Sequence, residues 1–255
     1  MASRSLVLCF SGHDPSGGAG LQADIETVAA FGGHALCLVT ALTVQDTLNV
    51  QRVLPTAPEL LAEQFELLWR DCQPQAIKLG LIGSEIQVPI IVEAIQRCKV
   101  PVVCDPVLNA GGGAALVAES AIASLRQALF PLVSVLTPNA SEARRLTGLQ
   151  TLDESARMLL DDGCASVLVT GGDEPGTEVV NTWYRPGQAP QRYRWPRLAA
   201  GFHGAGCTLA SAIAVLLAQG FDPETALERA QRWAQEALRR AILIGRGRLI
   251  PDRHS

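Results

Sequence analysis

Short, largely apolar runs alternate along this chain with longer stretches in which apolar residues recur every three or four positions. The runs at residues 6–10, 36–40, 76–79, 100–104, 133–136 and 167–170 lack a regular polar face, as strands buried on both sides do. The stretches at 21–31, 58–69, 88–97, 120–129, 140–147 and 153–161 predict helices, and Pro58 suits a first helical turn. Residues 179–184 and 192–195 predict a hairpin around Pro186-Gly187. Two helices close the pattern. In the last, Ala226, Leu227, Ala230, Trp233, Ala234 and Ala237 fall on one stripe, which reads as core-facing. The alternation predicts an α/β fold with a mostly parallel central sheet and helices on both faces. With no internal repeat, low-complexity tract or linker, residues 1–255 are expected to form a single domain.

Composition narrows the function classes. The chain is 48% hydrophobic and 18% charged, so it can bury a core and is not expected to be disordered. Its net charge of -4 argues against nucleic acid as a partner, since phosphate binding needs a basic surface. Arg239, Arg240, Arg246 and Arg248 form a local basic cluster, read as a solvated helix end. The seven cysteines include no C-x-x-C pair, and several lie in apolar runs. They read as buried free thiols of a reducing, cytoplasmic setting. Nothing in the Cys and His spacing suggests structural zinc. No stretch approaches ~20 consecutive apolar residues, so no membrane span is expected. The first apolar run is too short for a signal peptide.

Candidate chemistry sits at the predicted strand ends. Gly201-Phe202-His203-Gly204-Ala205-Gly206-Cys207-Thr208 precedes an apolar helix. Glycines that let neighbouring N–H groups converge, followed by a helix N-terminus, make an anion hole; a tight turn into a buried helix reads equally well. Ser11-Gly12-His13-Asp14-Pro15-Ser16-Gly17-Gly18-Ala19-Gly20 joins a strand to a helix that carries Asp24 one turn in. It lacks the Lys of a phosphate loop, yet lies where open α/β sheets bind ligands. Asp105 ends a strand. Asn139 and Glu142 stand three apart at a helix start, where they also suit a capping box. Thr170-Gly171-Gly172-Asp173 runs a strand into a Gly pair. All five features fall at the carboxyl ends of predicted strands, so they can converge on one crevice.

In that order the motifs resemble the ribokinase superfamily, and within it the hydroxymethylpyrimidine/phosphomethylpyrimidine kinases of thiamine biosynthesis. The most specific pieces are the run from Gly12 to Asp24, Thr40-Ala41-Leu42-Thr43-Val44-Gln45-Asp46-Thr47, Lys78-Leu79-Gly80, Asp105-Pro106-Val107, Thr137-Pro138-Asn139 with Glu142, and His203-Gly204-Ala205-Gly206-Cys207-Thr208. The likeness runs from about Val7 to the last helix. Sugar kinases of the superfamily carry an Asp where this chain has Cys207, which favours the pyrimidine branch.

The resemblance implies a ribokinase-like fold, an ATP- and Mg²⁺-dependent phosphotransferase, a small pyrimidine substrate and a homodimer. Cys207 would act on the substrate hydroxyl beside the N–H groups of Gly204, Ala205 and Gly206, either as a base activated by the helix N-terminus or by positioning. Gly12, Ala19, Asp24, Gln45 and Val107 would line the pyrimidine pocket. Asp105 and Glu142 would hold Mg²⁺, partly through water. Asn139, Thr170 and Gly172 would meet the nucleotide. Where relatives often carry Lys-Gly-Gly-His, this chain has Thr170-Gly171-Gly172-Asp173, so a cationic nucleotide contact is absent there or supplied elsewhere. Gly111-Gly112-Gly113 replaces a stretch that often holds Lys or Thr, which implies a more mobile phosphate-covering loop, and Leu81 stands where a Met is common. Two other readings stay open: a pyridoxal-type kinase of the same superfamily, and a non-catalytic ligand-binding regulator on this fold.

Overall fold

The computed structural model describes residues 4–109 and 119–254, so the Gly111-Gly112-Gly113 segment lies outside the described residues. The strands are β1 (Leu6–His13), β2 (His34–Gln45), β3 (Val50–Pro55), β4 (Ala76–Leu79), β5 (Val102–Cys104), β6 (Val135–Leu136), β7 (Val167–Val169), β8 (Glu178–Tyr184) and β9 (Gln191–Pro196). The helices are α1 (Gly20–Ala30), α2 (Pro58–Asp71), α3 (Val88–Cys98), α4 (Glu119–Ser124), α5 (Ala140–Thr147), α6 (Leu152–Asp161), α7 (Ala205–Ala218) and α8 (Pro223–Arg239). Among the described residues the strands form one sheet in the order β3-β2-β1-β4-β5-β6-β7-β8-β9. The six strands from β2 to β7 are parallel, while β3, β8 and β9 add antiparallel edges.

The central strands are apolar throughout because each face meets a helical layer. Leu8 and Phe10 of β1 pack in the core shared with α2 and α3, whereas Val7 and Cys9 pack against α7 and α8. Val103 of β5 and Leu168 of β7 face the α7 and α8 side in the same way. Helix α7 is buried along most of its length, with Ala210, Ala212, Ile213 and Ala214 fully enclosed. Its small residues let it lie close beneath the sheet, and its N-terminus comes up at the carboxyl ends of the strands. The edge strand β3 was not anticipated from the sequence. It pairs only with β2 and is mostly exposed, so the apolar signal of the inner strands is missing from it. The expected hairpin is present as β8 and β9.

Candidate active site

The parallel strands deliver their C-terminal loops to one side of the sheet, where a cleft of about 520 Å³ opens. Gly12, Ala19, Gln45 and Val107 line it, as do Asp105, Asn139, Glu142, Thr170, Gly172 and residues 204–207. The sequence motifs therefore do converge, with one exception. Asp24 does not line the cleft: its side chain is fully enclosed, 2.8 Å from Lys78 Nζ and accepting a 2.7 Å bond from Ser211 Oγ. The face of α1 that carries Asp24 turns inward toward β4 and α7, so this carboxylate belongs to the floor of the site and is not available to a bound ring.

Two glycine-containing loops form that floor. β1 slips register against β2 between Ser11 and Gly12 and stays paired with it as far as His13. The following loop is tied by Asp14, whose carboxylate accepts from the Ser16 N–H at 2.8 Å, the Ser16 hydroxyl at 2.8 Å and the Ala19 N–H at 2.9 Å. The His203 ring meets the same carboxylate at 2.7 Å and so ties this loop to the other one. Burial pushes the Asp14 carboxyl up, but the bonds from His203 and Ser16 outweigh it and hold the group below the usual carboxylate range. Gly204 starts α7 at φ 83°, and a Cβ there would lie 1.9 Å from the Gly18 carbonyl oxygen, so no larger residue fits between the loops. The N–H groups of the first turn of α7 have no partner within the helix, as at any helix start, and this turn borders the cleft.

Asp105 sits directly over that turn, its Oδ2 3.4 Å from where a Cβ on Gly206 would be. The Cys207 thiol lies within electrostatic reach of Asp105, Lys78 and Asp24, and the Gly20 N–H favours its ionised form. Crowding by protein pushes the thiol up to about 12, with Asp105 and Asp24 adding to the effect and Lys78 opposing it. Desolvation thus works against the activation expected of a thiol at a helix N-terminus. Burial and Asp24 raise the Asp105 carboxyl to about 6 against the pull of Lys78 and the Cys207 thiol.

Asn139 and Glu142 form a full capping box at the start of α5, so the structural reading of that pair holds and both still face the cleft. Glu142 accepts from the Asn139 N–H at 3.0 Å and the Leu108 N–H at 3.3 Å. Burial, with Asp105 beside it, raises its carboxyl to about 8. Among the described residues no three Cys, His, Asp or Glu side chains gather into a metal cage. Asp105 and Glu142 suit instead a hard cation that keeps waters and ligand phosphates in its shell. Two crowded carboxyl groups with raised affinity for protons are what such a cation would relieve.

The far end of the cleft is apolar and backed by amide groups. Asn181 donates to Gln231 at 2.8 Å, and so does the Trp195 indole at 3.2 Å, while Asn181 accepts from the Gly171 N–H at 3.0 Å. Asp173 occupies the start of α5, accepting from the Ala140 and Ser141 N–H groups at 3.1 and 2.8 Å. Arg197 is spent on the backbone, donating at 2.7 Å to the Gly176 carbonyl and at 2.8 Å to that of Gly172. Arg248 also lines the cleft, and its side chain has no hydrogen bond or ion pair among the described residues. The solvated-helix-end reading of the basic cluster holds for Arg239, which pairs with Glu236 at the end of α8, but not for Arg248.

Comparison with known proteins settles the lineage. Residues 14–252 match the family model described as phosphomethylpyrimidine kinase. The chain belongs to the phosphomethylpyrimidine kinase family. A hydroxymethylpyrimidine/phosphomethylpyrimidine kinase of Synechococcus elongatus is 37% identical over 95% of this chain and 94% of its own length. The thiamine biosynthesis bifunctional protein ThiED of Geobacter sulfurreducens is 39% identical over 96% of this chain, which spans 51% of that longer protein. In three dimensions, the pyridoxal kinase of Bacillus subtilis, solved with ADP, superposes with a TM-score of 0.90 at 26% identity, covering 98% of both chains. As a member of the phosphomethylpyrimidine kinase family, the chain is an ATP-dependent phosphotransferase with a ribokinase-like fold. None of its helices, among the described residues, is long and apolar enough to cross a membrane.

Proposed function

We propose that this chain phosphorylates 4-amino-5-hydroxymethyl-2-methylpyrimidine with ATP and then phosphorylates the monophosphate, supplying the diphosphate used to build thiamine diphosphate. The observation that carries this reading is that Cys207 and Asp105 meet at the open N-terminus of α7, in the same cleft as the side-chain amide of Gln45. Gln45 ends β2 at the cleft lip, and its side-chain amide has no hydrogen bond among the described residues. An amide offers both a donor and an acceptor to an aminopyrimidine edge. Gly12, Ala19 and Val107 provide the walls, with Leu81 beside Gly12.

In the transfer, the hydroxymethyl oxygen forms a bond to the γ-phosphorus as the bond to the bridging oxygen of ADP breaks. Cys207 accepts a hydrogen bond from the substrate hydroxyl and donates its own to Asp105. It orients the nucleophile without being a thiolate, and a loose transition state lets the proton leave late, to an oxygen of the transferred phosphoryl group and from there to solvent. The N–H groups of Gly204, Ala205 and Gly206 receive the phosphoryl oxygens. Asp105, and through water Glu142, whose oxygens already accept backbone N–H groups, would hold Mg²⁺, which would offset the charge of the triphosphate. Asn139, Thr170 and Gly172 border the phosphates. Trp195 and Ala234 flank the base, and Arg248 supplies the positive charge that Thr170 does not.

Leu42 and Leu54 pair across β2 and β3 and are 53% and 44% exposed, giving the ribbon an uncovered apolar face. That face supports a homodimer. The free thiols support a cytoplasmic setting.

The pyridoxal kinase likeness favours a second reading, in which vitamin B6 alcohols enter the same pocket. Incubation with Mg-ATP and the pyrimidine, with pyridoxal in parallel, separates the two by product mass. Pyrimidine monophosphate followed by diphosphate is the expected result. Pyridoxal phosphate alone transfers the chain to the second reading, and no product from either substrate leaves the regulator.

A further inference from the structure

Arg253 is the largest completely enclosed side chain among the described residues, and it lies beyond α8, in a segment whose sequence shows no helical or strand pattern. A buried guanidinium is tolerated only when its donors are met. Here NH1 lies 3.1 Å from Glu26 Oε2 on α1, NH2 donates at 2.6 Å to the Gly18 carbonyl, and Nε donates at 2.9 Å to Thr208 Oγ1. The Thr208 hydroxyl passes its own proton to the Gly204 carbonyl at 2.7 Å. The fork therefore spans both glycine loops. One arm fixes the Gly18 peptide, and the other, through Thr208, fixes the peptide that opens α7. The same NH2 is 2.8 Å from where a Cβ on Gly204 would be, so the guanidinium plugs the space where the two loops touch.

We propose that Arg253 is a positioning residue for phosphoryl transfer, setting the placement of the α7 N–H groups relative to the 14–20 loop. It does not border the cleft, so it acts through Gly18 and Thr208 and meets no substrate. The proposal rests on the kinase reading of that site. Transfer of this kind depends on placement, and a shift of about 1 Å costs about 100-fold in rate. The phosphate-facing amides would drift, while the base pocket and most of the pyrimidine pocket, with Gly12, Gln45 and Val107 on other elements, stay as they are.

The test is steady-state kinetics of R253M, with R253K and the wild type alongside. Expected is a kcat loss of about 100-fold with KM for ATP and for the pyrimidine within about threefold. R253K, which keeps the charge toward Glu26 but not the fork, should fall between. Added guanidinium should restore part of the R253M rate, which a purely structural defect would not allow. In parallel, calorimetry should show R253M binding ADP normally but losing the tighter binding that aluminium fluoride confers on ADP in the wild type. A folded R253M with wild-type kcat, or with equal aluminium fluoride enhancement, overturns the proposal. If R253M does not fold, T208V decides by the same readouts, since it cuts the link to Gly204 and leaves the Glu26 and Gly18 contacts. A wild type that phosphorylates no pyrimidine defeats the substrate reading instead, and the ADP and aluminium fluoride comparison still judges Arg253.

Discussion

Lys78 Nζ lies 2.8 Å from Asp24 Oδ1, and neither side chain has any exposed surface. Lys78 also donates to Ser11 Oγ at 2.9 Å, so β4, α1 and the end of β1 meet at this pair directly below Cys207 and Asp105. Burial would lower the Lys78 ammonium, but Asp24, Cys207 and Asp105 outweigh it and hold the group charged. Removing one partner strands the other charge in the interior, which costs about 3–5 kcal/mol, whereas replacing both by apolar residues costs far less. D24L and K78M should each lower the urea midpoint sharply, and the D24L/K78M double variant should recover much of the loss. Additive losses in the double variant would show that the pair is not coupled.

The Asp14 carboxyl gives stability a defined pH window. Its folded-state value is held down, so its contribution is fully present above the unfolded value of about 4 and is lost as pH falls through the lower folded value. H203A removes the ring that helps to hold it down while leaving the carboxyl buried. The stability difference between wild type and H203A should therefore be largest at pH 6–7 and should shrink below about pH 4. Urea midpoints across pH 3 to 7 measure it, and a difference that stays constant over that range would assign His203 to packing alone.

Some of this was legible in the chain and some was not, for physical reasons. Val7 to Phe10 announce themselves because a strand covered on both faces must be apolar at every position. Gly204 and Gly20 announce the loops because the backbone there adopts positive φ. Val50–Pro55 stayed silent because an exposed edge strand is under no such constraint. Asp24 misled for another reason: one turn into a helix after a glycine loop it looks directed at a ligand, and only Lys78, remote in sequence, reveals that it faces inward. The raised thiol of Cys207 is likewise a product of tertiary crowding, since the helix start alone argues for the opposite shift. Arg253 has no sequence signal at all, being a single basic residue outside any periodic pattern.

Arg248 should carry the nucleotide charge that Thr170 does not. Its side chain borders the cleft with no partner among the described residues, while its N–H donates to the Thr47 carbonyl at 3.3 Å and the next N–H, of Leu249, donates to that of Gly201 at 3.1 Å, so its backbone is held from both sides. A hydrogen bond to a charged group contributes about 1.5–3 kcal/mol, so R248Q should raise KM for ATP at least about tenfold with a smaller effect on kcat. R197Q should behave differently and lower the melting temperature, because Arg197 is consumed by loop carbonyls. An unchanged KM for ATP in R248Q would place the compensating cation elsewhere.

Cys207 presents the sharpest contrast between residue type and surroundings. A thiol at a helix N-terminus is ordinarily activated, yet here burial, with Asp105 and Asp24 adding to it, raises it to about 12. Two consequences can be measured together. Iodoacetamide should modify Cys207 slowly at pH 7, with a rate that keeps climbing beyond pH 9 rather than levelling near the free-thiol value of about 8.5. C207S, which keeps a group able to accept from the substrate and donate to Asp105, should retain kcat within about tenfold, whereas C207A, which orients nothing, should lose more, in keeping with the 10²–10⁴-fold typical of positioned proton-transfer groups. Peptide mapping by mass spectrometry reads the first, and the pyrimidine kinase assay reads the second. Rapid alkylation at pH 7 together with equal losses in C207S and C207A would restore the thiolate base; slow alkylation with a wide gap between the two variants would leave Cys207 as the group that aims the hydroxyl.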